Sequence, residues 1–208
     1  EIGYVAAFPI PEVNRGINAF ALGVRSVNSD ATVYVSWTNS WNDDTATSDA
    51  TNILLDAHNI DVLAMHTDSL KALEIAEERG VMSIGYNVDN SKDYPNTYLT
   101  AAVWDWDEFY TPTILKCLQG KFEGHHYWEG IDTGMVSLAP LTDRVNPGTE
   151  EIIEREMTKI SSGTYDVFYG PVYDNEGNLR VEDGESMTDN AMLNEFDWYV
   201  EGVVIDEK

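Results

Sequence analysis

Over residues 1–90 the chain alternates between short β-branched or apolar runs and longer stretches whose apolar positions recur every three or four residues. Residues 2–8 (IGYVAAF) read as a buried strand ended by Pro9 and Pro11, after which Val13, Ile17, Phe20, Val24 and Val27 fall on one helical face. Residues 32–38 (TVYVSWT) form a second strand. A polar stretch over 39–49 leads into a helix around 50–58, and residues 61–65 (DVLAM) give a third strand that ends at His66, Thr67 and Asp68. Asp68 or Ser69 can cap the next helix, which runs to Gly80, a residue suited to the left-handed position that closes a helix. Residues 81–86 (VMSIGY) are the fourth strand. This βαβ order predicts an α/β fold with a doubly wound parallel sheet.

Beyond residue 90 the rhythm changes. The spacing predicts a strand over 98–104 (YLTAAVW), a helix over 108–118, a short strand over 135–139 and a helix over 150–161. A hairpin follows, with strands at 169–173 and 179–181 around the turn 174–178. We therefore expect residues 1–100 to form an α/β ligand-binding lobe. Residues 101–140 cross to a second lobe, left incomplete because its opening strands are absent, and residues 141–208 return with a helix, a hairpin and a C-terminal tail. There is no internal repeat and no low-complexity linker.

Composition sharpens this picture. With 43% apolar and 11% aromatic residues the chain is globular rather than disordered. Its 37 acidic against 12 basic residues, a net charge of −25, repel a phosphate backbone and an anionic membrane surface alike, which excludes nucleic acid as a partner. The same surplus suits a protein kept soluble at high salt, where counterions screen repulsion between surface carboxylates; it also suits an ordinary solvated face. A single cysteine, Cys117, rules out an intrachain disulfide and a zinc cluster, and its apolar helical setting predicts a packed core thiol. No apolar run approaches the roughly 20 residues of a membrane span. No charged-then-apolar leader precedes Glu1, and the chain opens abruptly on a strand, as though an upstream segment had been removed.

In an open parallel sheet, ligands bind outside the carboxyl ends of the strands, where loops and helix N-termini converge. The candidates there are Phe8 and Pro9, Trp37 and Trp41, His66, Thr67 and Asp68, Tyr86 to Asp89, and Trp104 with Trp106. Flat aromatics mixed with amides, a hydroxyl, carboxylates and an imidazole suit a neutral ring-bearing ligand, stacked on a face and hydrogen-bonded at its edge. Each residue also has a purely structural role open to it: Phe8 and Trp37 as core, His66 as a satisfied histidine at a strand end, Asp68 as a helix cap, Asn87 and Asp89 as turn residues. Enzyme signatures are missing. The first strand is followed by A-F-P-I-P-E instead of a glycine-rich phosphate loop, there is no nucleophile elbow, and Cys117 has no base beside it. His125 and His126 point to opposite faces of an extended segment and read as surface histidines, not metal ligands. No cofactor, metal site or catalytic residue is expected.

Several long stretches then carry a specific likeness: IGYVAAFPIPEVNRGINAFALGVRSVN at 2–28, VSWTNSW at 35–41, HTDS at 66–69 and GVMSIGYNVDNS at 80–91. Further matches are LTAAVWDWDEFYTPTILKCLQGKF at 99–122, VSLAPL at 136–141, FYGPVYDNEGNLRV at 168–181 and WYVEGVV at 198–204. In order and over almost the whole chain, these resemble the basic membrane protein family of ABC-transporter solute-binding lipoproteins. The resemblance implies a periplasmic-binding-protein type I fold of the sugar-binding type, whose two lobes close over a purine nucleoside or nucleobase and deliver it to a permease. It also implies an extracytoplasmic location, with the membrane touched only through a lipid anchor. Family members carry a lipoprotein signal and an N-terminal lobe segment before the IGYVAAF stretch; neither is present in this sequence. Carried over by position, the ligand-binding residues are Phe8, His66, Thr67, Asp68, Asn87, Asp89 and Trp104. A subgroup has Lys where this chain has VWDW, and Trp104 in its place favours a stacked base over an anionic group. The alternative from another class is a ligand-sensing regulatory domain of the same fold.

Overall fold

The computed structural model describes residues 1–206. Five parallel strands form the centre of the molecule: β1 (Ile2–Ala6), β2 (Val33–Trp37), β3 (Val62–His66), β4 (Met82–Asn87) and β5 (Tyr98–Trp104). Helices α1 (Pro11–Val27), α2 (Asp44–Ala57) and α3 (Lys71–Arg79) connect the first four. Two later strands complete a seven-stranded sheet: β6 (Val136–Leu138) runs antiparallel to β5, and β9 (Val203–Ile205) lies parallel to β2. The order is β6-β5-β4-β3-β1-β2-β9. The remaining elements are α4 (Asp107–Leu118), α5 (Thr149–Ser161), the hairpin β7 (Val172–Tyr173) and β8 (Leu179–Val181), and α6 (Asp189–Asn194).

The side-chain period of two sorts each central strand between two cores. Tyr4, Ala6, Val33, Val35 and Ala64 face α1, whose Val13, Ile17 and Ala21 are fully buried, together with Phe168, Phe196 and Trp198 from the later chain. Val5, Leu63 and Met65 face α2 and α3 through Ala50, Leu54, Ala72, Leu73 and Ala76. Both faces are covered, so the parallel strands read as nearly continuous apolar runs, and the fold is doubly wound as the periodicity implies.

Two buried asparagines tie the later chain to α1. Asn14 donates to the Phe196 carbonyl at 2.8 Å and Asn18 to that of Trp198 at 2.8 Å, while the Val200 amide donates back to Asn18 at 2.9 Å. The two side chains therefore satisfy backbone groups of segment 196–200 on the side facing α1, while its end bridges Asp174 on the other side. The hairpin is anchored by Asp174, 1% exposed, which accepts from the Glu176 and Asn178 amides, the Asn178 side chain and the Arg180 guanidinium.

The structure corrects several sequence expectations. Helix α2 begins six residues' worth of polar sequence earlier than the apolar pattern suggests, because the Asp43 side chain caps it by accepting from the Ala46 amide at 2.9 Å. Helix α3 begins later, at Lys71, and neither Asp68 nor Ser69 is its cap residue; that position is Leu70. Gly80 closes α3 in the left-handed conformation at φ +69°, as expected. Cys117 is exposed instead of packed in a core, because α4 has no buried residue at all. The hairpin strand expected over 169–173 shortens to Val172–Tyr173, and α6 and β9 have no counterpart in the periodicity.

Candidate functional site

Strand order reverses at β1, which lies between β2 and β3, so the carboxyl ends of β1 and β3 flank the crevice where open α/β sheets bind ligands. Along that edge the structure places five rings in contact. Phe8, just past β1, meets Trp41 edge-on at 5.9 Å; Trp41 lies 6.0 Å from His66 at the end of β3. His66 lies 4.3 Å from Tyr86 of β4, and Tyr86 meets Trp104, the last residue of β5, edge-on at 5.1 Å. The row thus crosses the sheet from β1 to β5.

His66 is the buried centre of this row, 6% exposed, with Nδ1 3.3 Å from the Tyr4 hydroxyl. Its Nε2 has no partner among the described residues. Helix α1 packs directly on the ring: a Cβ at Gly16 would stand 2.9 Å from both Cε1 and Nδ1, so only glycine lets the helix approach so closely. Burial, followed by the positive charge of Arg15, lowers the imidazole from its ordinary 6.5 to about 4, so it is neutral at physiological pH. Burial also pushes the Tyr86 hydroxyl up, with Glu12 and Asp68 adding to the effect, so that ring stays an uncharged phenol.

Polar groups lie beside the row. The Asn87 amide donates to Asp68 at 3.0 Å, linking the loops after β3 and β4, and the Asp68 amide donates to the Trp41 carbonyl at 2.7 Å. Asn87 holds φ +69°, a conformation that asparagine tolerates better than most side chains. Asp89 is exposed and accepts from the Ser91 amide at 2.9 Å. Thr67 is fully buried, its hydroxyl accepting from the Ser69 amide at 3.1 Å. Asn87, Asp89 and Trp104 line one wall of a cavity of about 720 Å³, closed on the other side by Ser137 to Pro140 around β6.

Of the sequence-derived site residues, Phe8, His66 and Trp104 thus belong to the row, Asp68 and Asn87 form a bonded pair, Asp89 sits at the cavity rim, and Thr67 lies beneath the surface. Trp41 and Tyr86, strand-end candidates left out of the set carried over by resemblance, fill the gaps between them. Their signal was position: each follows or ends a strand on the carboxyl side. Among the described residues, no group of three or more His, Cys, Asp or Glu side chains could hold a metal ion, and no helix is long and apolar enough to cross a membrane.

The mostly parallel, doubly wound sheet is that of the periplasmic-binding-protein fold. Solved structures share this fold: a solute-binding protein of an ABC transporter system from Conexibacter woesei DSM 14684 superposes with a TM-score of 0.65 at 19% identity, over 79% of this chain and 56% of that one. One from Aeropyrum pernix K1 gives 0.63 at 18%, over 80% and 56%. The chain belongs to the Bmp family, described as ABC transporter substrate-binding protein PnrA-like, whose pattern matches residues 1–169. It is 36% identical over 97% of its length to the purine-binding protein BAB2_0673 of Brucella abortus, and 37% identical over 97% to TsgA13 of Haloferax volcanii, a putative ABC transporter glucose-binding protein. The chain spans about half the length of these curated relatives, 57% and 49%. The transcriptional activator protein med of Bacillus subtilis is similar at 28% identity over 69% of the chain. The family is one of solute-binding proteins, not enzymes, and its members are generally extracytoplasmic.

Proposed function

We propose that this chain supplies one wall of a binding site for a purine nucleobase or nucleoside, in a receptor that hands its ligand to an ABC-transporter permease at the outer face of the membrane. The observation that carries the reading is the row Phe8–Trp41–His66–Tyr86–Trp104, which offers flat apolar faces with Asp68, Asn87 and Asp89 beside them. A planar heterocycle gains from stacking on such faces and presents hydrogen-bonding atoms only at its edge, where the polar groups lie. The name of the Brucella relative supports a purine. Binding is coupled to transport through a change of conformation, since a few kcal/mol of differential affinity shifts a two-state population decisively.

The name of the Haloferax relative supports a second reading, a sugar, whose hydroxyls would engage the same carboxylates while its apolar face stacks on an indole. A regulatory sensor is less well supported, because the activator-named relative matches less of the chain, 69% against 97%, at lower identity. Titration of the full-length protein with adenine, hypoxanthine, adenosine, inosine and glucose, followed by tryptophan fluorescence, separates these readings. Saturable quenching by purines, weakened at least tenfold in Trp104→Ala, is expected; a response to glucose alone would replace the purine reading with the sugar one.

A further inference from the structure

Trp104 and Trp106 also line a second cavity, of about 430 Å³, together with Phe109, Tyr127, Trp128 and Arg15. Its size and its aromatic lining with few polar groups match what a small planar ligand requires. Glu129 is the other charged group on its wall.

Arg15 is the unusual member. It projects from α1 beside the aromatic row, half-buried, with its guanidinium 5.0 Å from the centre of the Trp128 ring. One amino group donates to the Met192 carbonyl at 2.9 Å. Among the described residues its guanidinium makes no other hydrogen bond and no ion pair, in a chain with 37 carboxylate side chains against 12 basic ones. Of the other five arginines, Arg25, Arg79, Arg155 and Arg180 each pair with a carboxylate, while the exposed Arg144 donates to the Pro95 carbonyl. Arg15 instead keeps its Nε and Nη2 donors unspent at the wall of an aromatic cavity. Burial lowers its proton affinity and Glu12 works against that, but an arginine stays charged under such influences.

We propose that Arg15 is a specificity-determining residue, its guanidinium fork donating to the O6 and N7 atoms of a 6-oxopurine ring held among Trp104, Trp106 and Trp128. The inference rests on the purine reading above and deepens it at the Trp104 end of the row, a residue common to both cavities. An arginine has donors only, so it matches two adjacent acceptors, as in its bidentate contact with the O6 and N7 of guanine. On a 6-aminopurine the same edge carries the amino group and N7, a donor beside an acceptor, and the fork meets only one of them. A good bidentate contact is worth about 1–3 kcal/mol of discrimination, or roughly five- to 150-fold in affinity.

The test is calorimetric titration of the full-length protein with hypoxanthine and adenine, repeated on Arg15→Lys and Arg15→Gln, with thermal melts to show that the variants are folded. Wild-type protein should bind hypoxanthine at least about fivefold more tightly than adenine. Lysine keeps the charge but loses the planar fork, so both variants should lose that preference mainly through weaker hypoxanthine binding. The wild-type comparison needs no variant to overturn the proposal, since a missing preference does so even if both substitutions unfold the protein, while the loss of preference in a folded variant assigns it to Arg15. Binding of both bases without preference, or with adenine favoured, overturns the role of Arg15 and leaves the purine reading in place. Binding of neither base, and of neither inosine nor adenosine in the fluorescence titration, removes both.

Discussion

The sheet-forming segment from β1 to β5 and the less apolar segment from residue 105 to 165 both carry helices with recurring apolar positions, yet these helices end in opposite states. Helices α1, α2 and α3 each bury a face against the sheet, whereas α4 and α5 have no buried residue. From Trp106, the residue just before α4, the exposed side chains Trp106, Tyr110, Ile114 and Leu118 follow one another at intervals of four, a continuous stripe along one face. Periodicity therefore states which side of a helix is apolar; it does not say whether anything covers that side. The misreading of Cys117 has this origin, since an apolar helical setting implies a core only when a second element packs upon it.

The largest effect that separates the two segments should come from the core that joins the late chain to the sheet. Phe196 is fully buried against Phe168 and Trp198, with ring centres 5.1 and 4.8 Å apart. Phe196→Ala should cost about 3–5 kcal/mol in urea unfolding; a loss below about 1 kcal/mol would show that this joint is loose.

Next in size is the acid dependence of the buried row. Burial, then the charge of Arg15, holds the His66 imidazole at about 4, below its ordinary 6.5, so the unfolded chain takes up the proton first as pH falls. The stability contributed by the neutral ring is present above pH 6.5 and is lost as pH falls towards 4, a swing of about 3 kcal/mol from the shift in His66. Unfolding at pH 7 and pH 5 in wild-type and His66→Gln protein should isolate this component, and a difference independent of His66 would place the acid sensitivity elsewhere. The smallest effect belongs to α4. Leu118, 79% exposed, can become Ser with a change within about 0.5 kcal/mol. A loss above about 2 kcal/mol in the full-length protein would show the stripe to be covered there.

The central strands were legible because each has apolar side chains on both faces and is bounded by turn residues; only their ends shift by a residue or two. Short elements at the periphery were not. Strand β9 is three residues of a Val-Val-Ile run that gains its identity only from pairing with β2, and the start of α2 depends on one capping carboxylate within a polar stretch. The candidate row was half legible. Strand-end position picked out Phe8, His66 and Trp104, which the structure brings into one row, but nothing in a linear pattern marks the proposed role of Arg15, because a charge on a helix reads as a solvent-facing residue until a tryptophan from far along the chain is seen packed against it.

The pairing of Val33 with Val203 sets a timetable for assembly. The edge of β2 stays open while everything between the two strands is being synthesised, and a bare edge strand is a template for pairing with another chain. Closing so long a loop is slow relative to the local βαβ steps. Until residues 203–205 dock, the sheet offers β2 as an unsealed edge, so a variant that keeps β9 from docking is expected to aggregate more readily than the intact protein.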